Sequence, residues 1–219
     1  MRAADSQRKG PTAPEAGEPC LIPRVAGEPD WARIPVLPIR RVLWTPDAGI
    51  RAWGQLCRDE EALFVHLRAE EKEIRAENTA PGSPVWEDSC LEFFFLLPGA
   101  DRYFNFELNP NGCLCLQLGR ERTGRVDLAG PDARELFRIR TERTGDGWEV
   151  YYRIPLAFLR RFYPDCRFAG ELRANLYKCG DKTPKPHFLS WAPVRSETPD
   201  FHRPQDFGRM RFEESRPPA

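Results

Sequence analysis

Three carboxylates and a tryptophan lie close together in the segment VWEDSCLEFFF, residues 85–95. Asp88 and Glu92 are four residues apart, so their side chains point to the same side of an extended strand. A carboxylate inside an apolar strand needs hydrogen-bond donors. Glu92 is therefore expected either to face a polar groove or to pair with an arginine, whereas Glu87 and Asp88 fit a solvated turn.

A second group of candidate residues lies in HFLSWAPVRSETPDFHRPQDFGRMRF, residues 187–212, which contains two of the three histidines of the chain. Aromatic faces stack on the apolar C–H faces of sugar rings, while carboxylates, amides and guanidinium groups bind the hydroxyls at the rim. Trp86 and these rings, beside Glu, Asn and Arg residues, therefore suit a sugar site. Packing in a core is the alternative, because most tryptophans of a β-sandwich lie inside it.

The elements that must position these residues are predicted to be strands, since the 22 prolines interrupt helices and the many aromatic residues favour strands. Apolar runs or alternation predict strands within residues 62–69, 90–97, 103–119, 136–155, 171–179 and 207–214. NPNG at 109–112 and GDG at 145–147 are turns of two hairpins, and LAFLRRFYP at 156–164 fits a short helical turn. The fold class is therefore all-β: an antiparallel β-sandwich, jelly-roll or immunoglobulin-like, with long loops and little helix.

The hairpin at 103–119 has two different faces. One face is apolar and carries Phe104, Phe106, Leu108, Leu114, Leu116 and Leu118. The other face carries a stripe with polar groups, made of Tyr103, Asn105, Glu107, Cys113, Cys115 and Gln117. A stripe of this kind on a central hairpin is either solvated or lines a groove.

One domain is predicted over residues 28–213, with disordered tails at 1–27 and 214–219, where large apolar residues are few. The 33 basic and 33 acidic residues cancel, which argues against nucleic acid or an anionic membrane as partner. Seven cysteines, an odd number, without an apolar export signal predict reduced thiols and a cytoplasmic location. Cys113 and Cys115 have no second pair at zinc spacing and are predicted to be strand residues.

Five segments together carry a resemblance to a known family: PVWEDSCLEFFFLLPGADRYFNFELNPNG, GWEVYYRIPLAFL, RANLYK, HFLSWAPV and PDFHRPQDFGRMRF. In order and spacing they resemble the family 9 carbohydrate-binding modules, in particular the stand-alone family 9-like branch of the DOMON-like sandwich superfamily. The resemblance runs from about Trp31 to Phe212.

The resemblance implies a non-catalytic module that clamps a terminal sugar between two aromatic side chains, in support of carbohydrate catabolism. It places Trp86 as one aromatic wall, Glu92 as the acceptor of hydroxyl protons, and Phe201 where the family usually has a second tryptophan. Asn105 lies near the position of an expected arginine, and it lacks the guanidinium fork. The other predicted sugar contacts are Asn175, Trp191, which forms either a wall or core, and His202.

The resemblance also bears on cofactors and partners. Family members often carry a structural calcium ion, but no dense loop of oxygen ligands is visible in the sequence, so no cofactor and no metal are predicted. The expected partner is a mono- or oligosaccharide. The family resemblance also implies association with glycoside hydrolases, and it makes secretion an alternative to the cytoplasmic location.

Two other functions are compatible with the sequence. A glycoside hydrolase would use Glu92 with Asp88 or Asp200, held ~5–5.5 Å apart for retention or ~6.5–9.5 Å apart for inversion. A haem-binding electron-transfer domain of the DOMON type would need Met210 together with one of the three histidines, His66, His187 or His202.

Overall fold

The computed structural model describes residues 18–214, and its elements follow the alternation of the sequence. The strands are β1 (Cys20–Ile22), β2 (Leu37–Ile39), β3 (Arg41–Val42), β4 (Arg51–Arg58), β5 (Ala62–Glu70), β6 (Cys90–Leu96), β7 (Tyr103–Leu108), β8 (Leu114–Gly119), β9 (Val126–Asp127), β10 (Arg140–Arg143), β11 (Gly147–Pro155), β12 (Glu171–Cys179), β13 (Phe188–Ser190) and β14 (Gly208–Phe212). The helices are α1 (Ala133–Leu136) and α2 (Leu156–Leu159), with short 3-10 turns at Trp31–Arg33, Val85–Glu87 and Pro204–Asp206. In this part of the chain the helices are far too short to cross a lipid bilayer.

Two sheets form a β-sandwich, as the sequence predicts. The larger sheet has the order β1-β14-β12-β6-β7-β8-β9, with β13 joining β12 to β3, and the smaller sheet has the order β10-β11-β5-β4-β2. Neighbouring strands are antiparallel except for β1, which runs parallel to β14. The prediction of an antiparallel sandwich with little helix is confirmed.

The main core lies between the sheets and uses the inward face of each strand. In β5 the core side chains are Leu63, Val65, Leu67 and Ala69, and in β11 they include Trp148. From the larger sheet, the apolar face of the β7–β8 hairpin packs into the same core. The hairpin turns at Gly112, whose φ of 72° is a conformation that glycine adopts readily, and its N–H donates to the carbonyl of Asn109 at 2.9 Å.

A second apolar cluster covers the outer face of the larger sheet and decides where the site lies. It is made of Val85, Cys90, Phe94, Tyr103, Cys113, Cys115, Tyr177, Cys179, Phe201 and Phe207. Some of these residues belong to the loops 71–89 and 191–207, so both loops fold over this face. The stripe with polar groups on the β7–β8 hairpin is therefore not simply solvated, because loops cover much of it.

Two sequence expectations differ from the structure. Within the predicted tail 1–27, residues 20–22 form β1, in which Cys20 and Ile22 are buried. The average composition of the whole segment hides these two apolar residues. Residues 1–17 and 215–219 lie outside the described part of the chain. The first strand of the 136–155 hairpin begins only at Arg140, because Arg138 takes a left-handed φ of 49° after α1. Phe137 is buried all the same, edge-on to Phe106.

Candidate functional site

The loop that carries Trp86 is fixed by one buried carboxylate, that of Asp88. Its oxygens accept the main-chain N–H groups of Glu77 at 3.0 Å and Asn78 at 2.9 Å, and the side-chain amides of Asn78 at 3.0 Å and Asn109 at 2.8 Å. Burial alone would raise the pKa of Asp88, but these hydrogen bonds outweigh burial and lower the pKa. The expectation of a solvated turn is therefore wrong for Asp88, whose carboxylate has the loop's own N–H groups as donors.

A cavity of about 320 Å³ lies on the outer face of the larger sheet, between the two covering loops. Its size falls within the ~300–1,000 Å³ of small-molecule sites. The lining residues are Trp44, Trp86, Glu92, Phe94, Glu107, Gln117, Arg122, Cys179, Asp181, Phe188, Pro199, Asp200, Phe201 and His202. Aromatic rings, carboxylates and an arginine therefore meet in one place, as a sugar site requires.

A larger cavity of about 560 Å³ lies elsewhere, lined by residues 48–51, 70–73, 145–146, 183–185 and 187. Its lining includes no phenylalanine, tyrosine or tryptophan. Because a sugar ring needs a flat apolar face to stack on, this cavity suits a sugar less well than the aromatic one.

The two predicted aromatic walls differ in their exposure. Trp86 has 39% of its surface exposed, although it is a large apolar residue. Phe201 is only 9% exposed and stacks on Tyr177 with ring centroids 4.0 Å apart and an angle of 11° between the planes. The expectation that Phe201 stands open to solvent is therefore wrong, because Tyr177 covers one face of its ring, although Phe201 still lines the cavity.

A second tryptophan at the cavity, Trp44, was not predicted. Its ring lies 5.4 Å from Phe201 and 5.6 Å from Phe188, and its indole N–H donates to the carbonyl of Ser196 at 2.8 Å. The backbone at Trp44 has a φ of 55°, a left-handed conformation that is rare for a bulky side chain. One indication of this role is present in the sequence: Trp44 precedes Thr45-Pro46 and lies outside any segment of alternating apolar residues.

Two glutamates face each other at the base of the cavity. Glu92 on β6 is the register partner of Glu107 on β7, and both side chains are buried. Burial, and then the neighbouring Glu107, raises the pKa of Glu92 well above its usual range. Burial raises the pKa of Glu107 to about 7, although the amide of Asn105, which donates to it at 2.8 Å, acts in the opposite direction.

An arginine reaches the position near Asn105 from another part of the chain. The guanidinium of Arg125, which precedes β9, donates to Asn105 Oδ1 at 2.6 and 3.2 Å. It also lies over the ring of Tyr103, 4.1 Å from the centroid. Asn105 thus links the guanidinium of Arg125 to Glu107 through hydrogen bonds, although Asn105 itself does not line the cavity.

Asp181 and His202 are two further polar residues of the lining. Burial, followed by the charge of Glu87, raises the pKa of Asp181 to about 6. Burial, followed by the charge of Arg125, lowers the pKa of His202 to about 3, so its ring is neutral near pH 7. Its Nδ1 lies 2.8 Å from the Tyr103 hydroxyl. The neutral ring of His202 therefore stands beside carboxyl groups with raised pKa values. A lining of this kind suits hydroxyls, which both donate and accept hydrogen bonds.

Of the seven predicted sugar contacts, Trp86, Glu92, Phe201 and His202 line one cavity, whereas Asn105, Asn175 and Trp191 are not among its lining residues. The amide of Asn175 is used by the chain itself: its oxygen accepts the N–H of Ala192 at 2.8 Å and its nitrogen donates to the carbonyl of the same residue at 3.2 Å. Trp191 packs against the main core and over Gly208, where a Cβ would lie 2.5 Å from its ring.

The residues of the other two functions are placed differently. Met210 is buried in the main core. The ring nitrogens of the histidines contact other side chains: His66 contacts Gln55 and Glu149, His187 contacts Lys178, and His202 contacts Tyr103. Asp88 does not line the cavity, whereas Asp200 does so together with Glu92.

A sandwich with an aromatic and carboxylate-lined cavity on one sheet defines a lectin-like, carbohydrate-binding class of protein. The family model described as "Carbohydrate-binding family 9" matches residues 28–212. The chain therefore belongs to carbohydrate-binding family 9. No curated protein matches the chain.

Solved structures agree with this assignment. One is from Bacteroides uniformis ATCC 8492 and is described as a candidate carbohydrate-binding protein; it is 28% identical, with 90% of this chain and 99% of that chain covered and a TM-score of 0.78. Two structures of a family 9 module from Caldicellulosiruptor kristjanssonii are 14% identical and share the fold. The glucose complex has a TM-score of 0.64, with 92% and 99% covered, and the cellotriose complex has a TM-score of 0.62, with 91% and 95% covered.

Proposed function

We propose that this protein binds the terminal unit of a mono- or oligosaccharide in the cavity beside Trp86 and does not cleave it. The observation that carries the proposal is the exposed Trp86 ring in one cavity with the buried carboxylates of Glu92 and Glu107. The ring offers an apolar platform, and the carboxylates offer acceptors to hydroxyls. The family 9 neighbours in complex with glucose and cellotriose support this class of ligand.

Calorimetric titration with glucose and with cellotriose tests the proposal. Trp86→Ala should weaken binding by about tenfold or more, which corresponds to ~1.4 kcal/mol. Its melting temperature should change little, because the ring is partly exposed. Trp53→Ala is the matched control, since Trp53 is half-buried in β4 on the other sheet, beside Arg68.

Two results would contradict the proposal. One is the absence of binding to any sugar in a broad glycan array, read with calcium and with a chelator; this comparison also tests the calcium ion that the family resemblance implies. The other is a Trp86→Ala variant with a large loss of stability and unchanged affinity, because Trp86 would then be a structural residue.

A second candidate function, glycoside hydrolysis, is favoured by Glu92 and Asp200, which line the same cavity. Cellotriose incubated with the protein and analysed by chromatography distinguishes the two functions. Release of glucose that is lost in both Glu92→Gln and Asp200→Asn would assign hydrolysis. Intact cellotriose that still binds would assign binding alone.

The biological setting that we propose is carbohydrate catabolism beside glycoside hydrolases, in a reducing cytoplasm. All seven cysteines lie in the described part of the chain, and none forms a disulfide there. Mass spectrometry of the protein from its native cells, with thiols alkylated before lysis, should find seven free thiols. Stable disulfides, or no glycoside hydrolase recovered with the protein, would contradict this setting.

A further inference from the structure

Three side chains at the cavity beside Trp86 could act as metal ligands: those of Glu92 and Cys179, which line the cavity, and that of Cys90, which is buried next to them. Their ligand atoms all lie within 4.8 Å of one another, and all three residues are buried. The Cys179 thiol lies 2.9 Å from Glu92 Oε1. Among residues 18–214, this is the only group of three such side chains that close together.

The three ligands lie on two paired strands in the middle of the larger sheet, with Cys90 at the start of β6 and Cys179 at the end of β12. Cys90 and Cys179 are register partners on β6 and β12, and Glu92 follows Cys90 by two residues, on the same face of the sheet. Strands β6 and β12 are paired over seven positions, from Cys90–Cys179 to Leu96–Arg173. Little chain entropy is therefore lost when a cation brings these atoms together.

The charges around this group favour a cation. Neither Glu92 nor its register partner Glu107 takes part in any ion pair formed within the described residues. Lys178, next to Cys179 in the chain, points to the other side of the sheet, where its ammonium lies 3.1 Å from Glu71 and 2.7 Å from His187. A bound divalent ion would give the buried Glu92 side chain a directly contacting cation, which the described residues do not provide.

Two thiolates and one carboxylate are a ligand set typical of zinc, which binds sulfur at ~2.3 Å and oxygen at ~2.0–2.2 Å in a tetrahedron. We propose that Cys90, Glu92 and Cys179 bind a zinc-class divalent cation at the base of the cavity. Three protein ligands leave the fourth position open. Glu92 and Cys179 line the cavity, so that position faces the space where a sugar hydroxyl or water would lie.

This metal site does not depend on the proposed sugar binding, although both use Glu92. Metal binding is therefore measured without sugar, and sugar binding is measured in a chelator. Sugar affinity without any metal signal would refute the metal site alone. A metal signal without sugar affinity would refute the sugar function alone.

The test is a cobalt titration of the reduced, metal-stripped full chain. One equivalent of Co²⁺ should produce thiolate-to-cobalt charge-transfer absorption and the visible bands of a tetrahedral ion, and Zn²⁺ should abolish both. Binding should strengthen as the pH rises, because the metal displaces thiol protons. Cys90→Ser and Cys179→Ser should each lose the charge-transfer intensity of one sulfur, and affinity should fall by more than about tenfold.

Cys57→Ser is the matched control, because Cys57 is equally buried but lies on β4 of the other sheet. This variant should bind cobalt like the unmodified protein. If the Cys90 and Cys179 variants do not fold, zinc should still raise the melting temperature of the unmodified protein, and native mass spectrometry should show one zinc ion per chain. No charge-transfer band, or a Cys90–Cys179 disulfide that resists reductant, would overturn the proposal.

Discussion

Glu107→Gln gives the most direct test of the charge arrangement at the cavity. The pKa of Glu107 is about 7 in the folded protein, against an ordinary value of 4.5, chiefly because the side chain is buried. The unfolded chain therefore loses this proton near the ordinary value, while the folded chain keeps it until about 7. Between these two pKa values the folded state binds more protons, so stability falls as the pH rises.

The magnitude follows from the two pKa values. Each tenfold change in proton affinity is worth ~1.4 kcal/mol, so Glu107 should remove on the order of 3 kcal/mol of stability as the pH rises through this window. Glutamine has no charge at any pH, and its oxygen can still accept the amide of Asn105. The variant also removes a charge that raises the pKa of Glu92, which acts in the same direction.

Urea unfolding of both proteins at about pH 4.5 and about pH 7.5 measures the effect. From the lower to the higher pH, the free energy of unfolding of the unmodified protein should fall by roughly 3 kcal/mol relative to that of Glu107→Gln. Contributions of other groups, such as Asp88, cancel in this comparison. If the free energies of unfolding of the two proteins changed equally with pH, Glu107 would be solvated or its charge would be neutralised by a neighbouring group. Glu92 and Glu107 would then not form a buried pair with raised pKa values.

Three further predictions concern the loops and thiols around the site. Asp88→Ala should cost roughly 3 kcal/mol of stability and weaken sugar binding, because the N–H groups around Asn78 lose their acceptor; equal urea midpoints would refute this. Phe201→Trp should overpack the contact with Tyr177 and cost ~1–3 kcal/mol; an unchanged unfolding free energy would mean that the ring has free space. With a thiol reagent, the partly exposed Cys166 should react first and the buried cysteines only after unfolding; several rapid thiols would contradict the packing.

Most of the fold could be predicted from the sequence because the signals are local. The alternation in residues 62–69 and the NPNG turn each specify a strand or a hairpin within a few residues. Strand β1 could not be predicted in this way, since its three residues are stabilised by pairing with β14 at the other end of the chain. The helical turn before Arg138 is likewise fixed by burial of Phe137 in the main core.

Local sequence patterns point to the candidate site only where a side chain conflicts with its own segment, and Trp86, Phe201 and His202 were placed there by the family resemblance. Glu92 stands out because a carboxylate in an apolar strand needs an explanation. Trp44 and Arg125 reach the site region through loops far away in sequence, so no local pattern reveals them. Asn175 looks like a free amide in the sequence, but the loop at Ala192 uses its hydrogen bonds.

The parallel pairing of β1 with β14 has a mechanical consequence. Cys20 lies beside Met210 and Ile22 beside Phe212, and the N–H of Glu213 donates to the carbonyl of Ile22 at 2.9 Å. Tension between the two ends of the described chain would slide these strands along each other in opposite directions. Their hydrogen bonds lie across that direction, so they share the load and must break together, whereas a hairpin pulled at its open end loses its bonds one by one. The β1–β14 pair is therefore loaded in shear when the chain is stretched. The larger sheet resists this force better than it would if β1 could be peeled from its edge.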